Sequence, residues 1–260
     1  VKRDFGGAAA GYYQRYRHGY PDAVIDALVA AFKLTGQDAV VDLGCGTGQL
    51  TLPMAQRVRA VIGVDPEPDM LELAVQAARD ADVRNLTWVL GTDADMPALR
   101  GLLGDCSVGA VTIAQALHWM NRQELFRAVL PLLRPGGGVA VVTNGTPLWL
   151  QDMDWSRALR AYLQSWLGTK LADPCGTDEQ SQQRYAGELA AAGFDVVTAA
   201  VDHVVSLDIE QLVGGVCSAL GSRVPAPGER PAFIEQVRAA LAPQDRFREH
   251  VHVAIVAGTR

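Results

Sequence analysis

Val40-Val41-Asp42-Leu43-Gly44-Cys45-Gly46-Thr47-Gly48 is the stretch on which the fold turns. Its apolar residues end a buried strand, three glycines follow at G-x-G-x-G spacing, and a helix can begin near Gln49-Leu50-Thr51. A strand that passes through a glycine-rich turn into a helix is an α/β unit. With no side chains in the turn, a ligand can come close to the main chain. A dinucleotide fingerprint requires G-x-G-x-x-G, and here the third glycine comes one position early.

The alternation continues outward. Strands are predicted over 39–43, 60–64, 86–90, 108–113, 139–143, about 195–205 and 251–257. Helices are predicted over 21–32, 49–57, 68–78, 121–133, 154–167, 208–220 and 231–241, with another closing near 193. In the first of these, Val24, Ile25, Leu28 and Phe32 recur at helical spacing, and Pro21 is tolerated in the first turn. Arg134-Pro135-Gly136-Gly137-Gly138 is a helix stop. Apolar strands separated by helices imply a parallel sheet covered on both faces, and right-handed crossovers make it doubly wound. Residues 146–180 break the rhythm and read as a helical insertion. There Trp155, Leu159, Tyr162 and Trp166 share one helix face. That face either packs on the sheet domain or lines a lid.

With 260 residues and 49% hydrophobic content, the chain suffices for one α/β domain, 1–260, with an added cap. A formal charge of −6 argues against a nucleic-acid partner, which requires a basic face. Cys45, Cys106, Cys175 and Cys217 are far apart, which suits a reducing compartment and supplies no metal site. No apolar run approaches the ~18 residues of a membrane span, and Val1-Lys2-Arg3-Asp4-Phe5 has no signal core behind it. The expectation is a cytoplasmic protein without a membrane partner; oligomeric state is left open.

The pattern D-x-G-C-G-x-G at Asp42–Gly48 resembles the first motif of class I S-adenosylmethionine-dependent methyltransferases. Further segments follow in the family's order. Gly63-Val64-Asp65-Pro66-Glu67 resembles the acidic end of strand two, Gly91-Thr92-Asp93-Ala94-Asp95-Met96-Pro97 the adenine-side motif, and Leu132-Leu133-Arg134-Pro135-Gly136-Gly137 the turn before strand five. Tyr13-Gln14-Arg15-Tyr16-Arg17-His18-Gly19-Tyr20-Pro21 and Gln115-Ala116-Leu117-His118-Trp119 resemble segments of the small-molecule branch that includes trans-aconitate methyltransferase. His18 stands where that branch often has proline, and Thr92 where an adenine-binding aspartate is often found. The resemblance implies a Rossmann-like sheet of seven strands, mostly parallel with the last antiparallel. It also implies a helical cover at 1–32 and a helical lid at 146–180.

It further implies S-adenosylmethionine as cofactor and a small-molecule methyl acceptor. Gly44, Gly46 and Gly48 would pass the backbone along the methionyl part. Asp42 would anchor the ammonium through water or brace the loop. Asp65 would accept both ribose hydroxyls. Pro66 and Met70 would face the adenine, a plain core role fitting Met70 equally. Thr92, Asp93 and Ala94 would meet the adenine edge; for Asp93 the alternative is a cap on a helix starting near Met96. Arg17, with Tyr16, would fold over the cofactor and pair with its carboxylate or pack on the surface. Gln115 and Ala116 would line the cofactor. His118 is the catalytic candidate, as proton acceptor or positioning residue. Trp119, Trp149 and Trp155 would wall the acceptor pocket. The expected reaction is O-methylation of a carboxylate or hydroxyl. N- or C-methylation and a non-catalytic S-adenosylmethionine-binding protein are the alternatives.

Overall fold

The computed structural model describes residues 5–172 and 175–260, apart from the side chain of Ser222. Residues 1–4 of the expected cover and 173–174 of the expected lid lie outside the described residues. Seven strands form one sheet in the order β3-β2-β1-β4-β5-β7-β6. They are β1 (Ala39–Leu43), β2 (Ala60–Asp65), β3 (Leu86–Leu90), β4 (Val108–Ala114), β5 (Leu133–Asn144), β6 (Asp195–Asp208) and β7 (Arg246–Thr259). β1 is parallel to β2 and β4, β2 to β3, and β4 to β5, while β7 is antiparallel to β5. This is the doubly wound, mostly parallel sheet expected. Every residue of β1 is buried, as its apolar run demands of a central strand. Strand order reverses between β1 and β4, and crevices for ligands form at such switch points.

The chain divides into two compact units. The larger comprises His18–Asn144, Gly176–Val201 and Val253–Arg260. It contains α2 (Asp22–Phe32), α3 (Thr51–Ala55), α4 (Pro68–Asp80), α5 (Met96–Leu103), α6 (Arg122–Val129) and α8 (Glu179–Ala191). Val41, Leu43, Ile113, Phe126, Val141 and Leu189 are among its core residues.

The smaller unit comprises Val1–Arg17, Gly145–Cys175 and Asp202–His252, with α1 (Ala8–Tyr16), α7 (Asp154–Leu167), α9 (Ile209–Leu220) and α10 (Arg230–Leu241). Trp149, Trp155, Leu159, Leu163, Val216, Phe233 and Phe247 make its core. α7 spans the predicted 154–167, but its buried stripe runs through Trp155, Leu159 and Leu163. Tyr162 and Trp166 lie at the margin against Phe233, with ring centroids 5.8 and 4.8 Å away.

Two boundaries differ from expectation for identifiable reasons. The helix predicted over 121–133 ends at Val129, and β5 begins at Leu133 rather than 139. A Cβ at Gly137 would stand 2.6 Å from the Gly109 carbonyl, and one at Gly138 2.1 Å from the Gly258 carbonyl. The glycines therefore serve close approach of strands as well as the helix stop. α1 lies within the helical cover expected at 1–32, although no separate helix was placed there because Ala-Ala-Ala-Gly-Tyr-Tyr carries little apolar periodicity. No helix among the described residues is long and apolar enough to cross a membrane.

Candidate active site

The turn after β1 is held from beneath. Gly44 and Cys45 N–H both donate to the Val64 carbonyl, at 2.7 and 3.1 Å, and Gly48 N–H donates to the Cys45 carbonyl at 3.0 Å. Gly44, Gly46 and Gly48 have φ of +73°, +54° and +90°, a region that favours glycine. A Cβ at Gly44 would meet the Ala116 Cβ at 2.4 Å, so the turn presses directly on the tip of β4.

Asp42 is fully buried beneath this turn. Thr51 Oγ1 donates to its Oδ2 at 2.5 Å and Thr112 Oγ1 to its Oδ1 at 2.8 Å. Burial pushes its carboxyl up to about 6, with the two hydroxyls pulling down and nearby Asp65 pushing up. These bonds are those of a brace between β1, α3 and β4.

Asp65 ends β2 and is 8% exposed. Gly46 N–H donates to its Oδ2 and Glu67 N–H to its Oδ1, each at 2.9 Å. Pro66 beside it is half-buried, and Met70 is buried on α4.

After β3, Thr92 closes a short 3₁₀ turn, Asp93–Asp95, through a reciprocal capping box with Asp95. Ala94 N–H donates to Thr92 Oγ1 at 3.2 Å. Asp93 does not cap α5. Its Oδ2 accepts the Asn121 N–H at 2.8 Å, so the carboxylate ties the β3 loop to the loop after β4.

At the end of β4, Gln115 has φ +54°, unusual for a residue with a side chain, and its N–H donates to the Val142 carbonyl at 2.9 Å. Ala116, half-buried, follows against Gly44. The next turn carries half-buried His118 and exposed Trp119, their ring centroids 4.8 Å apart.

Sequence reasoning missed three neighbours. A Cβ at Gly176 would stand 3.5 Å from His118 Cβ and 2.2 Å from the Tyr185 hydroxyl, which places buried Tyr185 close to this turn. At the end of β5, Thr143 Oγ1 and Asn144 Oδ1 are buried without a partner. Their only sequence signal is that they close an apolar strand.

The structure thus collects Asp42, the three glycines, Asp65, Pro66, Met70, Thr92, Asp93, Ala94, Gln115, Ala116, His118 and Trp119 at or beneath adjoining strand ends of the larger unit. Tyr16, Arg17, Trp149 and Trp155 belong to the smaller unit. The Tyr16 hydroxyl donates to Glu210 Oε1 at 2.8 Å; burial and that carboxylate push its pKa up to about 12. Arg17 lies over the Tyr13 ring at 5.6 Å. Trp149 and Trp155 are core side chains, Trp155 edge-on to Phe247 at 5.7 Å.

The unpaired oxygens of Thr143 and Asn144 suit a ligand with hydroxyl or amino donors. Comparison with known proteins agrees. Residues 40–137 match the family described as a methyltransferase domain. An uncharacterised methyltransferase of Mycobacterium tuberculosis is 40% identical over 153 residues, covering 59% of this chain and 56% of that protein. A Saccharomyces cerevisiae protein named as a probable S-adenosylmethionine-dependent methyltransferase is 29% identical over 152 residues, 58% of this chain and 50% of its own length. The chain spans about half the length of these curated relatives. A solved structure from Anaeromyxobacter dehalogenans, provisionally described as a type II methyltransferase, has a TM-score of 0.64 at 22% identity, covering 94% of this chain and 98% of that one. That likeness shows the fold alone. Sheet order, strand-end loops and the matched span coincide: residues 40–137, which carry the glycine turn, Asp65 and the loops after β3 and β4, are similar to a methyltransferase domain.

Proposed function

We propose that the chain transfers a methyl group from S-adenosylmethionine to an oxygen of a small-molecule acceptor. The observation that carries this reading is the glycine turn pressed against the β4 tip, with Asp65 one strand away and His118 two residues beyond Ala116. The main chain at Gly44, Gly46 and Gly48 borders the methionyl part of the cofactor. Asp65, at the end of β2, receives the ribose hydroxyls on its carboxylate. The Ala94 amide and the Thr92–Asp93 turn border the adenine edge, Pro66 and Met70 supply apolar contact, and Gln115 and Ala116 line the side facing β4.

Bound S-adenosylmethionine supplies a methyl carbon activated by its sulfonium charge. The protein's share is alignment and exclusion of water. Alignment contributes roughly 7–11 kcal/mol in favourable cases. A carboxylate acceptor attacks unaided. A hydroxyl acceptor loses a proton, and His118, in the turn after β4, would take it, with Trp119 beside it on the same turn. The formal charge of −6 favours a small acceptor over a nucleic acid.

Calorimetry tests the cofactor assignment. S-adenosylmethionine should bind saturably and NAD should not. Asp65→Asn should weaken S-adenosylmethionine by roughly 1.5–3 kcal/mol, the range for hydrogen bonds to charged groups. Saturable NAD binding without S-adenosylmethionine binding overturns the reading. A screen of small acids, phenols and amines with labelled S-adenosylmethionine then identifies the acceptor. On it, His118→Ala should lower kcat far more than cofactor affinity.

A further inference from the structure

Gly176 lies on the segment that leads into α8, between two side chains of the larger unit. Its φ is +75°. A Cβ there would stand 2.2 Å from the Tyr185 hydroxyl, 3.3 Å from the ring carbon that bears it and 3.5 Å from His118 Cβ. The hydroxyl therefore rests on the Gly176 main chain, and the width of one methyl group separates it from the first side-chain carbon of His118. Backbone angle and close neighbours together require glycine at this position.

Both sides of the contact are fixed. Tyr185 is 2% exposed and packs into the core that also holds Val141, Leu189 and Leu117, the residue before His118. Arg122 and Arg184 stand 5.9 and 5.7 Å from the centre of its ring. Arg122 is itself pinned to Glu188 by bonds of 2.6 and 3.1 Å. A phenol so enclosed does not swing aside to admit another atom. Burial raises its pKa, so it keeps its proton and stays uncharged. The segment is tied at its other end too. Gln182 Nε2 donates to the Thr177 carbonyl at 3.2 Å. Asp178 caps α8, accepting from Ser181 N–H at 2.9 Å and from Ser181 Oγ at 2.6 Å. Gly176 is thus held against His118 by a rigid hydroxyl on one side and a helix cap on the other.

His118 itself sits on a three-residue 3₁₀ turn, Leu117–Trp119. So short a turn does little to fix a side chain from within. We propose that Tyr185 is a positioning residue for His118, acting through Gly176. This rests on the reading of His118 as the group beside the methyl acceptor. The hydroxyl sets where the Gly176 main chain lies, and that main chain limits where the His118 side chain can go. Methyl transfer depends on such limits, because a misplacement of about 1 Å costs on the order of a hundredfold in rate.

Nuclear magnetic resonance on the full chain tests the coupling without any acceptor. Histidines labelled with ¹³C at Cε1 report each of the five imidazoles, and the His118 signal is the one lost in His118→Gln. Tyr185→Phe removes only the hydroxyl and should move the His118 signal, while those of His203, His250 and His252 stay in place. Gly176→Ala drives a methyl into the same gap and should move it further. Combining the two should recover part of that shift, because the clashing oxygen is gone. On the acceptor that the screen identifies, Gly176→Ala should lower kcat by about ten- to a hundredfold and leave KM for S-adenosylmethionine unchanged. Tyr185→Phe alone should lower kcat by a smaller factor, and added to Gly176→Ala it should restore part of the rate. The proposal is overturned if neither single variant moves the His118 signal, if the double variant recovers nothing, or if Tyr185→Phe keeps full kcat. It is overturned equally if Gly176→Ala raises KM for S-adenosylmethionine and spares kcat. Should Gly176→Ala fail to fold, Tyr185→Phe decides alone by the same signal and rate. Failure of the methyltransferase reading looks different: the unaltered protein would not bind S-adenosylmethionine, while the His118 signal still answered to Tyr185→Phe.

Discussion

The strand-end carboxylates of the larger unit and a set of polar side chains in the smaller one are bonded differently, although Thr143 and Asn144 of the larger unit also leave a buried oxygen unpaired. In the larger, the carboxylates at the strand ends are engaged internally. Asp42 holds Thr51 and Thr112, Asp65 holds the Gly46 and Glu67 amides, Asp93 holds the Asn121 amide and Asp95 caps the turn at Thr92. In the smaller, Gln14, Arg17, Gln151 and His203 each leave a buried atom unpaired. One region uses charge to set the shape of loops, so that main chain can present itself to a ligand. The other buries polar atoms whose hydrogen bonding is incomplete.

Substitutions can break or sharpen this contrast. The largest effect is expected at Gly44. Its φ of +73° and the 2.4 Å approach of a Cβ to Ala116 combine backbone strain with overpacking, so Gly44→Ala should cost about 2–4 kcal/mol in chemical unfolding. Thr112→Val removes one of the two hydroxyls serving buried Asp42 and should cost about 1–3 kcal/mol.

Asp42 itself adds a pH dependence. Its folded-state value, about 6, lies above the ordinary 3.8, so the folded chain holds this proton more tightly than the unfolded one. Its contribution to stability is full below the unfolded value and is withdrawn as pH rises through about 6. Asp42→Asn should flatten that part of the Tm profile; an unchanged slope would show that other groups set it.

In the smaller unit the sign should reverse. Gln14→Met removes an unpaired buried oxygen and should leave stability unchanged or raise it by up to about 1 kcal/mol. A loss comparable to that of Thr112→Val would erase the contrast. The smallest effect belongs to the exposed Arg15–Glu210 pair at 2.9 Å, where Arg15→Ala should cost less than about 1 kcal/mol.

The strands and glycine turn of the larger unit were legible because they rest on local rules. β1 falls on the predicted 39–43, since five buried residues before a glycine can do little else. α7 falls on 154–167 because its aromatic and leucine spacing is strong. The outer parts of β6 and β7 were read short, since polar residues such as Ser206 and Asp208 in β6 and Arg246, Arg248 and His250 in β7 interrupt the apolar signal. The roles of individual acids were less legible. Asp93 bonds to a backbone amide 28 positions away, and no spacing rule reports such a bond. Gln14 was read only as part of a motif, His203 only as an isolated histidine, and Gln151 not at all, because they come from separated segments and carry no shared motif.

The packing of α1 on α9 has a consequence for how the chain folds. Arg15 and Tyr16 meet Glu210 across 195 and 194 positions, and Gly214 is where the Tyr16 ring rests. A contact of such separation closes an enormous loop and is entropically disfavoured until much else is in place. During synthesis the α1 segment emerges long before its seat exists, and it must wait, unshielded, for about two hundred further residues to leave the ribosome at roughly 5–20 per second. By loop-closure entropy, this contact belongs among those that form late.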